Sequence, residues 1–139
     1  MRRILLIDDE KGIRELWSRL HDVIEPTFRG QCSLDVASDI PQGLARLSGT
    51  EYDAVILDLR FPDVTVDETI SMIFERSIEL PIISVLTGDE DIYTRRRCML
   101  AGAADFWLKN DATSHPDLFF KSLYNAYLKR YASREPRSA

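Results

Sequence analysis

DAVILD, residues 53–58, is an unbroken apolar run closed by a carboxylate, and its reading decides the fold. Ala54, Val55, Ile56 and Leu57 do not alternate with polar residues, the pattern of a strand covered on both faces. Three further runs are each closed by a polar residue: RILLIDD (3–9) by Asp8 and Asp9, VLTG (85–88) by Thr87, and ADFWLK (104–109) by Lys109. A short strand also fits 33–37. Between these runs the apolar spacing becomes helical, with Ile13, Leu16, Trp17, Leu20 and Ile24 on one side of 12–28. Ser38 ahead of Pro41 marks the start of a second helix ended by Gly49. Helices are also predicted over 67–77, over 90–101 with Gly102 as the stop, and from His115 or Pro116 to about 130. Strands alternating with helices imply an α/β domain, and right-handed crossovers imply a doubly wound, five-stranded parallel sheet between two helical layers.

At 139 residues and 45% hydrophobic, the chain is large enough for one core. Residues 1–130 read as the domain and 131–139 as a polar tail or the start of a linker. No apolar stretch is long enough to span a membrane, and Met1-Arg2-Arg3 leads into only four apolar residues, so a cytoplasmic protein is expected. Cys32 and Cys98 lack metal-ligand spacing and read as small buried hydrophobes. A net charge of −5 argues against direct nucleic-acid binding, with Arg95-Arg96-Arg97 a local exception on the fourth helix.

An open parallel sheet binds ligands beyond the carboxyl ends of its strands. Asp8, Asp9, Asp58, Thr87 and Lys109 all fall there. Asp and Thr are common helix N-caps, so any one of them alone says little; together they offer acid, acid, hydroxyl and ammonium on one edge. That set suits a phosphoryl group held beside a divalent cation. Mg2+, with Mn2+ or Ca2+ as substitutes, takes hard oxygen ligands. Asp9 and Asp58 are the expected direct ligands, Asp8 acts through water, and the Arg60 backbone carbonyl completes the shell. Asp58 is then the nucleophile, with Lys109 and Thr87 bound to phosphoryl oxygens.

In order and spacing, ILLIDDE, DAVILDLRFP, IISVLTG and AGAADFWLK resemble the response-regulator receiver domain of two-component signalling. The resemblance implies a flavodoxin-like sheet of order 2-1-3-4-5. It also implies that Asp58 accepts phosphate from a histidine kinase or histidine phosphotransfer protein, loses it slowly, and alters its partner surface meanwhile. By position Asp8 and Asp9 match the family's acidic pair, Thr87 its switch hydroxyl, Lys109 its lysine and Phe106 its aromatic switch residue. The family's contact face, made of the fourth helix, fifth strand and fifth helix, implies a homodimer or output partner, with Arg95, Arg96, Asp105 and Lys121 as its exposed charges. Trp107, alternating away from Phe106, is expected to pack against a helix. Arg60 and Asp89, two residues beyond Asp58 and Thr87, are expected to pair across the mouth and tune hydrolysis.

Two departures stand out. Asn110 replaces the proline that usually follows the lysine, which implies either a trans peptide with a rebuilt loop or a strained cis bond. DVTVDETI after Pro62 lacks the glycine that commonly enters the third helix, so that turn must differ. These departures lend some support to a pseudo-receiver that binds partners without phosphate, against which the five intact site residues speak. An aspartyl phosphatase would want a second acid where Arg60 stands, and a flavin phosphate would be repelled by Asp8-Asp9-Glu10.

Overall fold

The apolar runs form strands because both faces of each central strand are covered. In the computed structural model, which describes residues 1–28, 32–75, 79–88 and 91–134, β1 (Arg3–Ile7), β2 (Ser33–Ala37), β3 (Ala54–Asp58), β4 (Ile82–Thr87) and β5 (Asp105–Leu108) make one sheet. All pairings are parallel and the order is β2-β1-β3-β4-β5, as expected. Period-two alternation divides the core. Leu5, Ile7, Val55, Leu57, Ile83 and Val85 face a layer formed by α2 (Ile40–Gly49), α3 (Val66–Phe74) and α4 (Ile92–Ala101). Ile4, Leu6, Ala54, Ile56 and Leu86 face the opposite layer, formed by α1 (Lys11–Ile24) and the C-terminal helix. That second layer is built on aromatics: Trp17 of α1, fully buried, lies 4.9 Å from Phe119 and 5.7 Å from Phe120 between ring centroids. Each such side chain contributes roughly 1.5–3 kcal/mol on burial.

Local chemistry sets the helix ends. Asp39, not Ser38, caps α2, its carboxylate accepting from the Gln42 amide at 2.7 Å. The Ser38 amide instead donates to the Gln42 side chain at 2.6 Å, so the two residues divide the two arms of the turn. A Cβ on Gly43 would lie 2.5 Å from Cδ1 of buried Ile7, so glycine is what lets α2 approach β1. Ahead of α3, Asp63 takes the left-handed conformation (φ 67°) and Thr65 and Glu68 form a reciprocal capping box. This is how the turn without glycine is made. Gly102 (φ 116°) closes α4.

The sequence reading differs from the structure at three ends. α1 stops at Ile24 and continues as a 3₁₀ turn, Glu25–Phe28. α3 ends at Phe74 with Glu75 as its cap, short of the expected 77, and the last two expected positions, 76 and 77, lie outside the described residues. After β5 a short helix, α5 (Lys109–Ser114), comes before the C-terminal helix, α6 (Pro116–Arg134). The described residues contain no cis peptide bond, so the trans alternative with a rebuilt loop is the one found, and α5 is that loop. α6 runs four residues beyond the expected limit, into the segment read as tail.

Candidate functional site

Asp58 is the last residue of β3 and Thr87 the last of β4, while Asp8 follows β1 and Lys109 follows β5. Adjacent parallel strands bring all four to one edge of the sheet. The Lys109 side chain crosses the end of β4 and sets its ammonium 3.1 Å from Asp58 Oδ2 and 3.4 Å from Asp8 Oδ2. Asp8 and Asp58 are buried, at 0% and 2% exposure.

The backbone uses one oxygen of each carboxylate and leaves the other to the site. Asp8 Oδ1 accepts from the Glu10 amide at 2.9 Å, and Asp58 Oδ1 accepts from the Arg60 amide at 3.3 Å. Asp8 Oδ2 is buried and receives no hydrogen bond; the Lys109 ammonium is its nearby charge. Asp8, Asp9 and Asp58 each offer an oxygen, all within 4.8 Å of one another. Three carboxylates against one ammonium leave the cluster negative, which asks for a further cation. A hard dication of the Mg2+ type fits these donors: oxygen ligands only, one of them buried without a hydrogen-bond partner.

Burial dominates the ionisation of this cluster. It raises the Asp58 carboxyl from 3.8 to about 6, reinforced by the Asp8 charge and opposed by Lys109 and the Arg60 amide. Asp8 is raised for the same first reason, with the Glu10 amide and Lys109 opposing. For Lys109 burial acts downward, but the Asp58 and Asp8 carboxylates outweigh it and raise the ammonium. At neutral pH Asp58 is therefore an anion held in a dry setting by one lysine, and its carboxylate is poorly solvated.

Thr87 and Phe106 lie on the same face of the sheet. Phe106 pairs in register with Val85, two residues before Thr87, and packs half-buried on the α4 side. Trp107 points the other way, its ring edge-on to Phe119 of α6 at 5.5 Å, as expected. Asp105 differs from expectation. It is half-buried and accepts from Trp107 Nε1 (2.8 Å), Ser122 Oγ (2.7 Å) and the Phe106 amide (2.9 Å), so it ties β5 to α6 and is not a free surface charge. Arg95, Arg96 and Lys121 are exposed. The Arg60 side chain is exposed beside the site, but Asp89 lies outside the described residues and with it the expected Arg60–Asp89 pair.

Arg14 escaped the sequence reading. Its guanidinium donates to the Asp8 carbonyl at 2.9 Å and holds the loop that carries the acidic pair. The signal was its place in the first turn of α1, facing back toward Asp8, but the arginine falls between the apolar positions that the periodicity tracks.

Comparison with known proteins agrees with this geometry. A family model described as the response regulator receiver domain matches residues 4–115. The response regulator MprA of Mycobacterium sp. (strain KMS) is 31% identical over 104 residues, 75% of this chain; that of Mycobacterium avium is 30% identical over the same length. The chain spans 42% of the length of these relatives. Among solved structures, a response regulator receiver domain protein from Clostridium thermocellum superposes with a TM-score of 0.75 at 22% identity, covering 95% of this chain and 98% of its own. The Vibrio cholerae chemotaxis protein CheY4 gives 0.71 at 20% identity, covering 91% and 98%.

Proposed function

The chain belongs to the response regulator receiver domain family, and on that premise we propose that it receives a phosphoryl group on Asp58 from the phosphohistidine of a sensor kinase or phosphotransfer protein. The observation that carries this reading is the Lys109 ammonium set between the buried carboxylates of Asp58 and Asp8 at the meeting of neighbouring strand ends. An Asp58 oxygen attacks phosphorus, the P–O bond forms as the P–N bond breaks, and the electron pair of that bond returns to the donor imidazole. Lys109 balances charge on one phosphoryl oxygen and Thr87 donates a hydrogen bond to another. Mg2+ held by Asp8, Asp9, Asp58 and the Arg60 carbonyl supplies further neutralisation of the phosphoryl charge when bound. The residues act by position and charge, with no acid or base needed at the transferring group.

Thr87 and Phe106 carry the readout. A hydroxyl drawn toward the phosphoryl group vacates space on the face it shares with Phe106, whose ring, having no hydroxyl of its own, signals by shape alone. The surface affected is that of α4, β5 and α6, where Ile92, Arg95 and Lys121 are exposed toward a second copy or an output partner. Arg60 beside the mouth tunes hydrolysis, with Asp89 as its expected counterpart. A cytoplasmic location belongs to the same reading, in keeping with two free cysteines. Incubation with Mg2+ and acetyl phosphate, followed by intact-protein mass, tests it. A gain of one phosphoryl mass that vanishes in Asp58→Ala is expected. No gain with Mg2+ binding intact would point instead to a module that binds partners without phosphate.

A further inference from the structure

Strand β1 ends at Ile7 and α1 begins at Lys11, so the acidic pair sits on the short connection 8–10. The ladders from β1 to β2 and β3 reach no further than Ile7. Beyond them the Asp8 amide donates to the Ala37 carbonyl at 3.1 Å, and the Arg14 amide closes the first turn of the helix on the Glu10 carbonyl at 3.0 Å. Glu10, the N-cap, lends the helix no side-chain bond. The Asp8 carbonyl is held by one donor among the described residues, Arg14 Nη1 at 2.9 Å. A peptide unit is planar, so pinning that carbonyl also sets the Asp9 amide and the direction in which the chain enters the Asp9 Cα. Asp8 is fixed a second time, by its own Oδ1 on the Glu10 amide. The Asp9 carboxylate accepts no hydrogen bond among the described residues, so its aim depends on the backbone beneath it.

Arg14 does this without taking an oxygen from the site. It is half-buried, forms no ion pair among the described residues and reaches a carbonyl, leaving the carboxylates of Asp8, Asp9 and Asp58 to Lys109 and a cation. We propose that Arg14 is a positioning residue of the cation site: it fixes the Asp8–Asp9 peptide so that the Asp9 carboxylate stays beside those of Asp8 and Asp58, and thereby sets the affinity for Mg2+. The inference rests on the reading that these three acids hold a divalent cation. It carries a sign that charge alone cannot produce. A guanidinium repels a nearby dication, so removing the charge would by Coulomb's law tighten binding. Removing a strut weakens it, and groups that orient metal ligands from behind account for about tenfold or more in affinity.

The test is calorimetric titration of Mg2+ into four forms of the metal-free whole protein: wild type, Arg14→Met, Arg14→Lys and Arg19→Met. Arg19 is an exposed arginine farther along α1, and its loss removes an equal charge without touching the loop. Urea unfolding checks each fold. The expected result is binding about tenfold weaker in R14M, most of that loss recovered in R14K, whose ammonium still donates to the carbonyl, and no change in R19M. Hydrogen exchange at the Asp9 amide, followed by NMR without Mg2+, should be faster in R14M and reports the released peptide directly. R14M binding Mg2+ as tightly as wild type or more tightly, or R14K as weak as R14M, would overturn the proposal alone; a wild type that binds no Mg2+ would overturn the cation reading with it.

Discussion

Replacing Asp58 with asparagine is expected to stabilise the fold at neutral pH and to leave it unchanged in acid. The Asp58 carboxyl is raised by burial from 3.8 to about 6, so the folded protein holds that proton more tightly than the unfolded chain does. A group shifted this way favours folding while protonated. As pH rises from the unfolded value through the folded one, wild-type stability falls, and the loss is complete above both. The separation is roughly two pH units at about 1.4 kcal/mol each, giving about 3 kcal/mol. Because Asp58 is only 2% exposed, little of this is screened by solvent. Asparagine keeps the shape and an oxygen for Lys109, which retains Asp8 at 3.4 Å, and removes the charge. For a chain of this size the gain corresponds to a rise in Tm of roughly 10 °C. Urea unfolding followed by circular dichroism, in Mg2+-free buffer with chelator from about pH 4 to 8, measures it. A mutant no more stable than wild type at pH 7.5, or one equally stabilised at both ends of the range, would falsify the assignment of the cost to a dehydrated anion.

Gly43→Ala sets a methyl 2.5 Å from buried Ile7 Cδ1 and should lower unfolding free energy by about 1–3 kcal/mol in the same urea assay. Asp63→Gly relieves the left-handed backbone at φ 67°; the gain, offset by the greater freedom of glycine in the unfolded chain, should be about 0.5 kcal/mol, read by the same method. Lys109→Met removes the ammonium that competes for the Asp8 and Asp58 oxygens. Calorimetric titration should show tighter Mg2+ binding while the rate of acetyl-phosphate labelling falls at least tenfold; weaker Mg2+ binding would mean that the lysine orients the carboxylates instead of rivalling the cation.

The sheet was legible because its strands carry their own burial: the runs ending at Asp8, Asp58 and Thr87 are covered on both faces, and a parallel sheet leaves few alternatives for such runs, while the half-buried run before Lys109 still sends Phe106 and Trp107 to opposite faces. The site followed from where those runs stop. What escaped is set by single contacts. Six residues, KNDATS, are too short to show a helical period, so α5 was hidden behind the question of cis or trans at Asn110. Ser38 and Asp39 are both good caps, and only the Gln42 contacts separate them. Asp105 looked like surface charge because its partners Trp107 and Ser122 are brought to it by the α6 packing. The length of α6 was underestimated because SREPRSA reads as helix-breaking while only its first residues matter to the last turn.

The chain contains two tryptophans, and the fold has given them opposite circumstances. Trp17 is sealed between α1 and α6, away from solvent and from the carboxyl edge of the sheet. Trp107 is half-buried on the strand that delivers Lys109, with its indole hydrogen bound to a carboxylate and its ring resting on Phe119. One indole is thus a fixed optical background and the other a gauge wired to the lysine two residues away. The protein carries its own label: a displacement of Lys109 or a turn of Phe106 is expected to register in the emission of Trp107, their neighbour on the strand, over the steady contribution of Trp17.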